Sequence, residues 1–193
     1  DIFKIILDAK ADFIEIGLPF SDPMADGPLI QQSSEVAIKQ NTSVETCFRL
    51  VEKIRKINKE IPIILMGYYN PIHYYGNLKF IKNAMSFGID GLIIVDLPME
   101  EDEEFYNLSS KNGLPLIRLV TPTTDESRLK KILKDAKGFV YYVSVTGITG
   151  TKSASVKHVN NKLKILKKIT PLPIITGFGI KNPLDAKRMS GVS

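Results

Sequence analysis

A single cysteine, Cys47, excludes an intrachain disulfide, and two histidines without a cysteine pair leave no zinc-ligand spacing in the 193 residues. A reducing, cytoplasmic setting fits that usage best. Long hydrophobic runs are also missing. The longest apolar stretch, 61–69, falls far short of the roughly 18 residues that suggest a membrane span, and no cationic start precedes an apolar signal core. The chain therefore reads as soluble, with no membrane partner. No linker, low-complexity tract or second compositional zone interrupts it, so one domain is expected over residues 1–193. Asp1 stands where an initiator Met would be, which reads as a processed chain or a fragment.

What is present is an average globular composition, 44% hydrophobic and 24% charged. The 26 Lys and Arg against 21 Asp and Glu give a net charge of +5 and a pI near 9.1. A basic balance can signal nucleic acid, but these lysines cluster in the helix-like stretches 53–59, 130–137 and 157–168 without an interleaved aromatic row. They read as solvated helix faces, and no nucleic-acid partner is expected.

Short apolar β-type runs recur at 13–18, 62–69, 91–98, 115–121, 139–146 and 173–180. Their hydrophobicity is nearly continuous rather than alternating, as in parallel strands covered on both faces. Helices fill the intervals. Thr42 with Glu45 spells a capping box, followed by Val44, Cys47, Phe48, Val51 and Ile54 at helical spacing. Thr123 with Glu126 repeats the device, and Gly138 is placed to close that second helix in the left-handed conformation. Gly88 and Gly113 mark two further helix ends, while the acid run Glu100 to Glu104 suits the opening turns of a helix after Pro98, where the macrodipole favours negative charge.

A strand-then-helix repeat of this size builds either an open doubly wound sheet or a (β/α)8 barrel. The G-x-G-x-x-G turn of a dinucleotide fold is absent, which leaves the α/β barrel, the TIM barrel, as the expected class. A barrel of about 250 residues spends roughly 31 on each unit, so a shortfall of about 57 corresponds to roughly two units. The expectation is a partial TIM barrel lacking its first and last strands.

Chemistry concentrates in Glu15-Ile-Gly-Leu-Pro-Phe-Ser-Asp-Pro-Met-Ala-Asp-Gly-Pro28. Glu15 sits in the late half of an apolar run, where a carboxylate is costly unless paired or used, and alternation groups it with Phe13 and Gly17 on one face. Facing a barrel interior, it would point into the mouth where such enzymes keep their catalytic groups. Asp22 before Pro23 reads as an ordinary turn residue; Asp26, one loop beyond Glu15, suits a second carboxylate for acid/base work. Gly147-Ile-Thr-Gly150 and Gly177-Phe-Gly179 follow late strands, where backbone N–H groups can cradle a phosphate. His73 and His158 read as exposed structural residues, and no metal site is expected.

Five motifs, taken in order, resemble the tryptophan synthase alpha chain family: Glu15-Ile-Gly-Leu-Pro-Phe-Ser-Asp-Pro-x-Ala-Asp-Gly-Pro-x-Ile-Gln31, Met66-Gly-Tyr-Tyr-Asn-Pro71, Asp90-Gly-x-Ile-x-x-Asp-Leu-Pro98, Gly147-Ile-Thr-Gly-Thr151 and Thr176-Gly-Phe-Gly-Ile180. The resemblance implies a lyase of tryptophan biosynthesis that splits indole-3-glycerol phosphate into indole and glyceraldehyde 3-phosphate. It implies that Glu15 is the acid/base residue and Asp26 the carboxylate facing the indole N–H. Thr149 then matches the mobile-loop residue that reaches toward Asp26, and Tyr141 a neighbour of Glu15. Gly150 and Gly179 match backbone phosphate donors, and Phe178 the indole wall. It also implies no cofactor in this chain, with pyridoxal phosphate carried by a partner beta chain in an alpha2beta2 tetramer. Two other readings stand beside it: another phosphate-binding barrel, such as a sugar-phosphate isomerase or epimerase, and a non-catalytic activator of a beta chain, which would have no need of Glu15.

Overall fold

The computed structural model describes residues 2–144, 156–177 and 182–190. The chain divides into two compact units, Asp1–Met24 with Leu29–Leu116, and Ala25–Pro28 with Ile117–Ser193. The first unit carries α1 (Ile2–Asp8), β1 (Ile14–Gly17), most of α2 (Pro28–Lys39), α3 (Val44–Ile57), β2 (Ile63–Gly67), α4 (Tyr69–Tyr75), α5 (Asn77–Phe87), β3 (Gly91–Ile94) and α6 (Glu103–Lys111). The second carries β4 (Arg118–Val120), α7 (Glu126–Leu133), β5 (Val140–Val143), α8 (Val156–Ile169), β6 (Ile174–Gly177) and α9 (Pro183–Ser190). No helix among the described residues is long and apolar enough to cross a membrane.

Each unit holds a three-stranded parallel sheet, in the orders β1-β2-β3 and β4-β5-β6. In the first, Glu15 lies opposite Ile64, and Ile64 opposite Gly91. All six apolar runs of the sequence contain a strand, each shorter than the run. The expected cover on both faces holds for β2 and β3, whereas β1 alternates, with Ile14 and Ile16 buried and Glu15 and Gly17 exposed. The buried face of this sheet packs Ile14, Ile16, Ile63, Leu65, Leu92 and Ile94 against Phe48, Val51 and Ile54 of α3, Phe80, Ile81 and Ala84 of α5, and Phe105 of α6. Phe48 is the hub of the aromatic contacts: its ring stacks on Phe87 at 5.5 Å and meets Tyr75 edge-on at 5.9 Å. In the second unit, Leu129, Ile132 and Leu133 of α7, Val159, Leu163 and Leu166 of α8, and Val140 and Tyr142 of β5 are buried.

Several boundaries differ from the sequence-based expectation. The cap of α3 is Ser43 rather than Thr42: Ser43 is extended (φ −117°, ψ 175°) directly before the first helical residue, and its Oγ accepts from the Thr46 amide at 3.3 Å. The cap of α7 is Asp125 rather than Thr123, its carboxylate accepting from the Arg128 amide at 2.9 Å while Thr123 pairs with the Thr121 hydroxyl. That amide bond also holds the Asp125 carboxyl below its usual range. Gly138 has a positive φ of 74° but lies past the end of α7, in the turn before β5. The acid run opens its helix only at Glu103; Glu100 and Glu101 form the preceding turn, and Asp102 sits buried at the N-cap position. Run 62–69 ends as a strand at Gly67, because Tyr69 already begins α4. Gly88 and Gly113 end α5 and α6 as expected, with φ of 91° and 80°.

Where β2 and β3 begin, one side chain joins three segments. The Arg55 guanidinium, projecting from α3, donates to the Gly88 carbonyl through Nε (2.9 Å) and Nη2 (2.7 Å), to the Ile61 carbonyl through Nη1 (2.6 Å), and to the Asp90 carboxylate. Asp90 in turn accepts from the Ile63 amide at 2.7 Å. A Cβ on Gly88 would stand 2.9 Å from the Arg55 Nε, so the glycine is required by contact as well as by its φ. Arg55→Met keeps the aliphatic stem but strands two carbonyls, and we expect a loss of about 3 kcal/mol, the scale of charged hydrogen bonds removed on one side only. Urea unfolding of the full chain measures it; a change below about 0.5 kcal/mol, the level of an ordinary surface substitution, contradicts the clamp.

Candidate active site

The site is built from the C-terminal edge of the first unit's sheet. Strand β1 starts at Ile14, whose amide makes the first ladder bond to the Pro62 carbonyl at 2.9 Å. Glu15 is therefore the second of the four strand residues rather than a late one. Ile14 and Ile16 take the helix-facing side, which turns Glu15 and Gly17 to the other face. Glu15 is exposed there, not buried among its apolar neighbours, yet enough protein surrounds its carboxyl to raise the pKa above the usual 4.5 by desolvation. Among the described residues no atom lies within 4 Å of where a Cβ on Gly17 would stand, so the strand is open beside the carboxyl.

A raised carboxyl pKa has a defined cost. The folded state holds the Glu15 proton more tightly than the unfolded chain does. Its effect on stability is nil below the usual 4.5, where both states are protonated, and stability declines as pH rises through the folded value. Fold stability alone does not favour an acid at this position.

Beyond β1 the chain is fixed at several points. The Leu18 amide extends the ladder to the Met66 carbonyl at 2.7 Å, and the Phe20 ring packs on Tyr68 at 5.3 Å, tilted by 35°. The Phe20 amide and carbonyl both bond the Ser34 hydroxyl of α2, at 2.8 and 2.9 Å. Asp22 behaves as the expected turn residue, accepting from the Ser21 hydroxyl at 2.5 Å, with its carbonyl accepting the Met24 amide at 2.8 Å. Asp96, just past β3, accepts from the Tyr69 amide at 2.8 Å and so caps α4, whose own N-cap residue Tyr68 makes no side-chain cap. His73 is exposed on α4, with its ring 5.5 Å from Tyr69, in keeping with a structural role.

Not all the sequence candidates fall in this unit. Asp26 is half-buried in the turn before α2 and belongs to the second compact unit, as does Tyr141 of β5; Glu15 belongs to the first. Thr149, Gly150, Phe178 and Gly179 lie outside the described residues, and so does the side chain of His158. Ser34, Tyr68 and Asp96 were not singled out from the sequence, because each acts through a partner at least 14 residues away.

Tyr141 is buried, and its register partner on β6 is Ile175. Its side chain nevertheless runs forward over Gly177, where a Cβ would come within 2.0 Å of the hydroxyl oxygen and 2.2 Å of the ring carbon bearing it. Gly177 thus makes room for the ring at the end of β6, a role distinct from the phosphate loop in which the sequence places it. Ser144 tightens the same edge by donating its hydroxyl to the Gly177 carbonyl at 2.9 Å.

A family model described as tryptophan synthase alpha chain matches residues 1–193. Curated relatives of that name include one from Granulibacter bethesdensis, 50% identical over 178 residues, and one from Geotalea uraniireducens, 47% identical over 193. The alignments take in 92% and 98% of this chain but 64% and 72% of the relatives, so the chain spans about two thirds of their length. Among solved structures, tryptophan synthase subunit alpha from Legionella pneumophila aligns with a TM-score of 0.90 at 36% identity, covering 100% of this chain and 71% of that one. A structure of the tryptophan synthase a2b2 complex from Pyrococcus furiosus aligns at 0.86 and 36% identity, over 100% of this chain and 77% of that one. With its alternating helices and parallel strands, the chain has the α/β architecture of the (β/α)8 barrel class.

The Tyr141 contact gives a test of the second unit. Gly177→Val should displace the ring and lower stability by about 1–3 kcal/mol, the usual range for overpacking. Adding Tyr141→Ala should recover part of that loss, because the two residues compete for one space. Strictly additive changes in urea unfolding of the four proteins contradict the contact.

Proposed function

The chain belongs to the tryptophan synthase alpha chain family, and from that premise we propose that it cleaves indole-3-glycerol phosphate to indole and glyceraldehyde 3-phosphate. The observation that carries the proposal is Glu15, a desolvated carboxyl on the open face of β1 inside the family's most specific motif. Residues 1–193 act in this reading as one barrel domain, in the cytoplasm.

The reaction breaks the bond between indole C3 and the first glycerol carbon. Carbon C3 must gain a proton, and the hydroxyl on that glycerol carbon must lose one as it becomes the aldehyde. Glu15 serves both ends. Its raised pKa favours the protonated form that C3 needs, and the carboxylate left behind then takes the hydroxyl proton, so the group returns to its starting state. Protonation at C3 builds positive charge on the indole nitrogen, which the Asp26 carboxylate stabilises. When the hydroxyl proton leaves, its electrons form the carbonyl, the carbon–carbon bond breaks, and that electron pair restores the aromatic ring.

The remaining family positions divide the substrate. By the family's pattern Tyr141 is assigned as a neighbour of the acid, Phe178 to the indole wall, and the Gly150 and Gly179 amides to the phosphate, as glycine allows. The same pattern assigns Thr149 to act together with Asp26. Indole passes to a beta-chain partner in an alpha2beta2 assembly, in keeping with the a2b2 complex of Pyrococcus furiosus. Pyridoxal phosphate belongs to that partner, and this chain supplies only protons and charge.

Glu15→Gln should lower indole release by about 10² to 10⁴, the usual contribution of a positioned acid/base group. Asp26→Asn should also be severely impaired, and Asp22→Asn should not. Indole released from indole-3-glycerol phosphate by the full chain measures all three. A Glu15→Gln protein with most of its activity overturns the assignment, and damage confined to Asp22→Asn moves the second carboxylate to Asp22.

A further inference from the structure

We propose that Ser34 is a positioning residue that latches the loop carrying Asp26, acting through the backbone of Phe20; as a statement about catalysis it rests on the function proposed above. One hydroxyl satisfies both polar groups of a residue 14 positions away, accepting from the Phe20 amide at 2.8 Å and donating to its carbonyl at 2.9 Å. The chain between these two residues contains Asp22 and Asp26. Closing that span at its base removes most of the freedom its backbone would otherwise have.

The latch ties α2 to a residue far from it in sequence. That helix contains no buried residue, and Leu29 and Ile30 in its first turn are 81% and 54% exposed. Within residues 1–193 the helix therefore gains little from apolar burial, and the two neutral hydrogen bonds add a polar tie to Phe20. The other end of the connection is firm. Phe20 leans on buried Tyr68, and the amide of the next residue, Tyr69, is held by Asp96 at the end of β3. Ser34 thus joins a loosely packed helix to the ordered edge of the sheet.

Ser34→Ala separates this role from ordinary stability, since alanine is the better helix former and leaves α2 itself no weaker. Ser34→Thr keeps the hydroxyl and should restore the wild-type behaviour. In the full chain, hydrogen exchange at the Phe20 amide should quicken about tenfold in Ser34→Ala and return toward wild type in Ser34→Thr, a factor on the scale of one lost hydrogen bond. Turnover should follow the same pattern, with kcat for indole release about tenfold lower in Ser34→Ala and KM changed much less, since Asp26 acts on charge that develops only during the reaction. Unchanged exchange at Phe20 in Ser34→Ala overturns the latch. Faster exchange with unaltered kcat overturns its role in positioning Asp26. If the wild-type chain releases no indole, the functional reading fails, and the exchange measurement still decides the latch.

Discussion

In a parallel sheet all strands end on the same edge, so the ladder that joins Ile14–Gly17 to Ile63–Gly67, and these to Gly91–Ile94, also brings the loops after Gly17, Gly67 and Ile94 out side by side. Phe20 can therefore rest on Tyr68, and Asp96 can reach the Tyr69 amide, although the sequence separates these residues widely. The same ladder turns Ile14 and Ile16 toward the helices and leaves Glu15 on the open face. A slip of one residue in β1 would exchange those faces, exposing two isoleucines and driving the carboxylate into the apolar layer. The apolar cost of that slip is what keeps the acid in place.

The two edges of this sheet do different work. At the N-terminal edge the Arg55 guanidinium ties Gly88, Ile61 and Asp90 together, and Asp90 passes the restraint to the Ile63 amide where β2 begins. At the C-terminal edge the contacts are of ring on ring and side chain on backbone, and they hold loops rather than strands. This is the division expected of barrel enzymes, with stability at the bottom and chemistry at the top. Glu15 opposes folding above its usual pKa, and the clamp at the opposite edge helps the unit tolerate it.

The strand cores and the odd acid were legible in the sequence because each is a local signal. Apolar runs stand out wherever two faces are covered, and a glutamate between two isoleucines stands out by its cost. Ends were harder. Ser43 lies one residue past Thr42, and Asp125 two past Thr123, so a spacing rule finds the helix and misses the capping residue that the backbone turn selects. Helix α4 was hidden because Tyr68 and Tyr69 continue the apolar run of β2, while the carboxylate that caps the helix comes from Asp96, in the loop after β3. The Ser34 hydroxyl and the space at Gly177 were invisible for the same reason: each depends on a residue brought near by the fold. Family resemblance supplied what neither pattern nor period could, namely the order of the five motifs and the roles attached to them.

The protein around β1 holds Glu15 as an acid able to carry a proton at higher pH than a solvated glutamate. Titrating the Glu15 carboxyl in the full chain by carbon-13 NMR tests it directly. The midpoint is expected above the usual 4.5, with the pH dependence of indole release turning at the same value. A midpoint at or below 4.5 would contradict it, because the surrounding protein would then hold the proton no more tightly than water does.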